Sequence, residues 1–179
     1  MYPQAFIDYL LHFHCDRDYF ECHEVLEEHW KKKPIPERSI FWVGLIQIAV
    51  SLYHHRRGNL PGALRMMKSA WSICKDQKDE LARLGFQVDK LVVLLDKKVH
   101  DIKRGEPYES INLPLENNLL TTCSNLASQS GLSWGVASDL SNKQLVHKHK
   151  LRDRSDIIAE REEQIRHKRK LRQIQKPPN

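Results

Sequence analysis

His23, Glu27 and Trp30 stand four and three residues apart in the segment FECHEVLEEHWKKKP, residues 20–34. On a helix, at about 100° per residue, Glu27 lies about +40° and Trp30 about −20° from His23. Tyr19, Phe20 and Leu26 fall within about 60° of the same line. A histidine and a carboxylate therefore share a stripe with large apolar residues. A carboxylate so placed must be paired, hydrogen-bonded, protonated or facing a wet pocket. His23 and Glu27, as i and i+4, can meet directly. Three roles follow for such a pair: a polar network that fixes helix packing, a cleft that orients a small polar ligand, or acid–base and metal chemistry.

A partner for Glu27 is expected from the next helical segment, RSIFWVGLIQIAVSLYHHRRG. There Phe41, Trp42, Leu45, Ala49 and Leu52 share a face with Arg38 and Arg56, and an arginine fork can hold a carboxylate in bidentate fashion. Arg56 is the expected partner, with Tyr53 and His54 adding donors near the same end. The candidate ligand-binding set is thus His23, Glu27, Trp30, Tyr53, His54 and Arg56, and the candidate acid–base pair is His23 and Glu27.

As metal ligands, His23, Glu27 and His54 would form a two-histidine, one-carboxylate set. The Glu-x-x-His pairs of di-iron bundles are absent, however, and HEVLE puts Glu27 where HExxH needs its second histidine. The spacings of His12, His14, Cys15, Cys22 and His23 match no zinc pattern. No metal and no cofactor is expected. Nucleophile elbows, a cysteine with an evident base and the phosphate loop GxxxxGK[ST] are all missing from the sequence.

A second chemistry-bearing feature is the C-terminal tail. The 179 residues carry a net charge of +6. Residues 143–179 hold 12 Lys+Arg against 5 Asp+Glu, or +7, and the first 142 hold 17 against 18, or −1. Any nucleic-acid contact must therefore come from the tail, through Lys148, Lys150, Arg152, Arg154, Arg166, Lys168, Arg169, Lys170 and Arg172. The tail has no aromatic residue for base stacking, so such contact would be weak, phosphate-driven and sequence-tolerant.

The elements that must position these residues read as helices. Gly and Pro are sparse, at 7 and 8 of 179 residues, and 40% of the chain is hydrophobic, enough for a core. PQAFIDYLLHFH puts Phe6, Leu10 and Phe13 at helical spacing, and Asp16 or Asp18 can cap the next helix, which ends before Pro34. Pro36 is expected to open the third helix and Gly58 to end it. Its run IFWVGLIQIAVSLY is apolar on nearly all sides yet too short to span a membrane, and it reads as the centre of a bundle. Asn59 caps a fourth helix, Gly85 breaks the following segment, and Gly105 ends a helix carrying Leu91, Leu94, Leu95 and Val99. Beyond it, GEPYESINLPLENN reads as an extended strap and the Ser- and Asn-rich stretch to residue 142 as a linker, with a short helix around Leu119 to Ala127. The N-terminus has neither a basic region nor a small-residue cleavage site, so a cytoplasmic location is expected.

H-x-x-x-E-x-x-W, present as His23, Glu27 and Trp30, is followed by GLIQIAVSLYHHRRGNLPGALRMM. Together these resemble the prokaryotic family known as domain of unknown function 309, over about residues 6–105, a domain-sized stretch. The resemblance implies a compact all-helical fold and marks the three motif residues as a functional position; it supplies no reaction. The sequence is accordingly read as an all-α bundle of five or six helices over 1–105, a strap and linker over 106–142, and a basic, partly helical tail over 143–179. The expected function is non-enzymatic binding or scaffolding, with a cleft around His23, Glu27 and Trp30 that takes a small polar ligand or a partner segment. An enzyme using His23 and Glu27 and a nucleic-acid adaptor acting through the tail are the alternatives.

Overall fold

A computed structural model describes residues 2–151, without the side chain of Lys150. Tail residues Arg152, Arg154, Arg166, Lys168, Arg169, Lys170 and Arg172 lie outside the described residues. The chain divides into two units, Met1–Val146 and His147–Asn179, and the fold described below is that of the first.

Six α-helices occupy the first 105 residues: α1 (Gln4–Leu11), α2 (Tyr19–Lys31), α3 (Ile40–Arg56), α4 (Leu60–Asp76), α5 (Lys78–Arg83) and α6 (Val88–Arg104). α3 is the centre. It buries residues all around its circumference, among them Trp42, Leu45, Ile48, Ala49 and Leu52, because α2 and α4 pack on different sides of it. That is the physical meaning of its unbroken apolar run. Phe6, Leu10 and Phe13 from α1 and its extension, Met67 from α4, and Leu91 and Leu95 from α6 complete one continuous core.

Capping decides the boundaries. Asp18 accepts a hydrogen bond from the Glu21 N–H at 3.1 Å and starts α2, and Asn59 accepts from the Gly62 N–H at 3.2 Å and starts α4. The third helix starts later than Pro36 suggests. Residues Ile35–Glu37 form one 3₁₀ turn, Arg38 is extended (φ −77°, ψ 110°), and α3 begins only at Ile40. The extended residue breaks the helical path, and it turns Arg38 back toward the end of α2.

Between α1 and α2 the chain widens into a π-helical turn, His12–Asp16, and then reverses through Arg17 in the left-handed region (φ 56°). Segment 106–142 packs against the bundle within the first unit. Ile111, Leu113 and Leu115 are buried at alternate positions, and Leu115 pairs with Phe86 in one antiparallel bridge. α7 (Asn117–Gln129), longer than the helix expected around Leu119 to Ala127, buries Leu119, Cys123 and Ala127. Gly85, at φ +86°, sits where a Cβ would come within 3.1 Å of Leu119 and of the Tyr2 hydroxyl, so a side chain there would be strained in its backbone and crowd Leu119 of α7. α8 (Lys143–Leu151) closes the described chain. All four cysteines are buried free thiols. Among the described residues no helix is long and apolar enough to cross a membrane.

Candidate functional site

α2 docks on α1 and α3 through Tyr19, Phe20, Cys22 and Leu26. With Tyr19 as zero, Leu26 lies at about −20° and Cys22 at about −60°, while His23 lies at about +40° and Glu27 at about +80°. Phe20 lies beyond both at about +100°, so by angle the pair falls inside the buried arc, and it is their exposure that makes them its open margin. The His23 and Glu27 side chains are 29% and 33% exposed. Trp30, on the last turn, is half-buried as well.

The margin carries a chain of charged contacts. His23 Nδ1 lies 3.0 Å from Glu24 Oε1, and Nε2 lies 3.2 Å from Glu27 Oε2. The other Glu27 oxygen receives Lys31 Nζ at 2.8 Å. Phe20 flanks the His23 ring at 6.3 Å between centroids. His23, Glu24 and Glu27 also offer one nitrogen and two oxygens that lie within 4.8 Å of one another, a set that can hold a cation.

The arginine expected on Glu27 is elsewhere. Arg56 Nη1 donates to the Arg17 carbonyl at 2.9 Å and to Ser138 Oγ at 2.8 Å. Its Nη2 donates to the Leu145 carbonyl at 3.2 Å, and the guanidinium lies 4.9 Å over the Tyr19 ring. It staples the start of α2 to the segment after α7. Glu27 is neutralised from its own helix, by Lys31. Tyr53 lies beneath the Arg57 guanidinium at 5.0 Å. His54 Nδ1 is 3.0 Å from Asn59 Nδ2, at the turn into α4. The structure thus gathers His23, Glu27 and Trp30 on one edge of α2 and places Tyr53, His54 and Arg56 at the far end of α3. Of the tail candidates with described side chains, Lys148 lies half-buried on α8.

The arginine that does reach the motif is Arg38. Its guanidinium lies 4.8 Å over the Trp30 ring, and its Nε and Nη2 donate to the Lys33 and Lys31 carbonyls at 2.9 and 3.2 Å. Trp30, Trp42 and His29 wall a cavity of about 140 Å³, rimmed by Lys32, Lys33, Arg38 and Ser39. The His29 ring meets Trp42 edge-on at 5.0 Å. Burial, then Lys32 and Lys33, hold the His29 pKa below its ordinary value. The Trp30 Nε1–H is buried without an acceptor. In the sequence Lys32 reads as part of a solvated face and Arg38 as a residue on the apolar face of the third helix. What assembles them is the reversal after Lys33, which folds Arg38 back over Trp30.

A second polar cluster escaped sequence reading altogether. Arg17, 1% exposed, donates to the carbonyls of Phe13, Ile111 and Val136 and to Asn112 Oδ1. His14 is fully buried, with Nδ1–H on the Leu10 carbonyl at 2.9 Å and Nε2 accepting the Leu113 N–H at 3.0 Å. Its ring stacks on Trp134 at 4.2 Å. Burial drives its pKa down to about 3, so it is a neutral crosslink. Their only sequence signal is the stretch HCDRD, which reads as a polar turn. The left-handed Arg17 turns these groups inward, and propensity does not foretell it.

Comparison with known proteins places this geometry in a family. The family model for a domain of unknown function, DUF309, matches residues 6–66, which include α2 and all of α3. An uncharacterized protein of Bacillus subtilis (strain 168), YpuF, is 44% identical over 173 residues, covering 96% of this chain and 99% of that protein. No solved structure matches the chain.

Proposed function

The chain belongs to the DUF309 family, and from that premise we propose that it is a non-enzymatic binding or scaffold protein. Its site is the half-open edge of α2 formed by His23, Glu27 and Trp30, and it takes a small polar ligand or a partner segment. One observation carries this reading. His23 and Glu27 are paired with each other yet remain about a third exposed, beside a cavity walled by Trp30. A group that serves packing alone is sealed and matched by a partner from the helix it packs against. Here Arg38 and Arg56, the arginines expected to face the motif, bind backbone carbonyls, and the pair stays partly open at the surface.

The test is native mass spectrometry of the protein purified from its own host, beside His23→Ala and Glu27→Ala. A bound small molecule that both variants lose, while both unfold close to the wild-type midpoint, is the expected result. Variants that lose several kcal/mol of stability would return the pair to a packing role.

A second reading, an enzyme using His23 and Glu27 as an acid–base or metal pair, is favoured by the cation-sized grouping of His23, Glu24 and Glu27. His54, the third ligand considered from the sequence, bonds Asn59 at the turn into α4, and the second carboxylate comes from Glu24 instead. The protein is expected to carry no stoichiometric transition metal. Elemental analysis finding about one zinc, iron or manganese per chain, lost on His23→Ala, would put the enzyme reading first.

A further inference from the structure

The geometry points to the cavity between the end of α2 and the start of α3 as a binding site for a small dianion of the phosphate-monoester class, held by Lys33, Arg38, Ser39 and the Trp30 Nε1–H. This names the ligand class of the proposed binding edge and rests on that reading.

Size comes first. The cavity measures about 140 Å³, close to the ~150 Å³ of an engineered cavity that admits benzene. It has room for a phosphate group with a few carbons. Charge comes next. The residues lining it include four potential cations and no carboxylate. Lys32 gives its charge to Glu28 at 3.1 Å, and burial disfavours charge on His29. Lys33 and Arg38 remain. Arg38 spends Nε and Nη2 on neutral carbonyls and keeps Nη1. Two charges of one sign beside two indole walls match a ligand carrying about −2, the charge of a phosphate monoester near neutral pH.

Unused donors point the same way. The Trp30 Nε1–H, one of six buried side-chain polar atoms without a partner among the described residues, belongs to a residue that walls the cavity and is a donor a ligand can satisfy. Ser39 holds the N-cap position of the 17-residue α3 without spending its hydroxyl on a cap hydrogen bond. That hydroxyl and the first N–H groups of α3 are therefore left for an anion. Several separate donors match the oxygens of a phosphate, which offers more acceptors than the two of a carboxylate. A phosphodiester in a nucleic-acid backbone is a monoanion substituted on both sides, and a cavity this size does not take it.

The experiment is isothermal titration of the full chain with inorganic phosphate and methyl phosphate, with dimethyl phosphate and acetate as comparators, in low-salt buffer. Both dianions should bind saturably, at least about tenfold more tightly than either monoanion. Lys33→Gln, Arg38→Gln and Trp30→Phe should each weaken binding about tenfold, while Lys68→Gln on exposed α4 surface should not. Denaturant unfolding of each variant checks that the fold is kept. Absence of saturable binding by either dianion, equal binding of acetate, or binding unchanged in Lys33→Gln and Arg38→Gln would each overturn the proposal. Apart from Trp30→Phe, these titrations leave the motif intact. If no dianion binds, yet a different molecule is lost from His23→Ala and Glu27→Ala, this inference falls and the binding reading stands. If those variants instead unfold, the binding reading falls whatever the titrations give.

Discussion

Replacing Glu27 with Ala separates the two meanings of the motif most sharply, because they predict different magnitudes. As the counter-ion of a buried arginine, Glu27 would leave an unpaired charge in the core when removed, a loss of about 3–5 kcal/mol. The structure gives a different sum. Glu27 contacts His23 at 3.2 Å and Lys31 at 2.8 Å, both at i,i+4 spacing on a face about a third or more exposed. Such pairs contribute about 0.3–0.5 kcal/mol each. Two of them total about 1 kcal/mol, and the better helix propensity of Ala offsets part of that. Net destabilisation should be about 0.5–1 kcal/mol, a midpoint shift of no more than roughly 2–4 °C for a chain of this length.

Guanidinium and thermal unfolding of wild type and Glu27→Ala measure this directly, and repeating the thermal arm at high salt should shrink the difference as the pairs are screened. Arg56→Ala supplies the control. It removes a donor from each of the Arg17 and Leu145 carbonyls and the Ser138 hydroxyl, so it should be the costlier change, and it should add to Glu27→Ala within about 0.5 kcal/mol. A loss above about 3 kcal/mol for Glu27→Ala, or strong coupling between the two sites, would refute the reasoning and return Glu27 to the core network.

Two further predictions concern parts of the molecule away from the motif. His14 has its pKa lowered from 6.5 to about 3, so the unfolded chain binds its proton first as pH falls. Stability is then full above about pH 6.5, declines as pH drops below it and levels off near pH 3, with about 2 kcal/mol lost by pH 5. His14→Gln should flatten that slope in denaturant unfolding between pH 7.5 and 5, and an unchanged slope would clear His14 of the effect. If the basic tail contacts nucleic acid, binding to random duplex should fall with salt at a log–log slope of about −4 to −5 for ~4–6 phosphates, with little sequence preference. A chain ending at Val146, the limit of the first compact unit, should lose that binding; equal binding by both chains would take the contact away from the tail.

The sequence alone determined the helices and the centre of the bundle. A fourteen-residue apolar run between polar ends has few options in a folded chain except to be surrounded, and α3 is surrounded. Asp18 and Asn59 started α2 and α4 because their side chains satisfy orphan N–H groups, an interaction local enough to be written in three or four residues. The i,i+4 meeting of His23 and Glu27 was local in the same way. What crossed between elements was not legible. The arginine opposite Glu27 was assigned by helical angle to Arg56, but an angle fixes a direction and not a depth along the axis. The extended backbone at Arg38 brought that residue to Trp30 instead. Likewise helical angle places His23 and Glu27 inside the arc of Tyr19, Phe20, Cys22 and Leu26, and their exposure depends on what the neighbouring elements cover. Arg17 is the clearest case. An arginine between two aspartates reads as solvated, and only a left-handed backbone with carbonyls converging from residues 13, 111 and 136 could bury it. Those acceptors are brought together by the closing of the strap over α1, a long-range event with no signature in the residues around position 17.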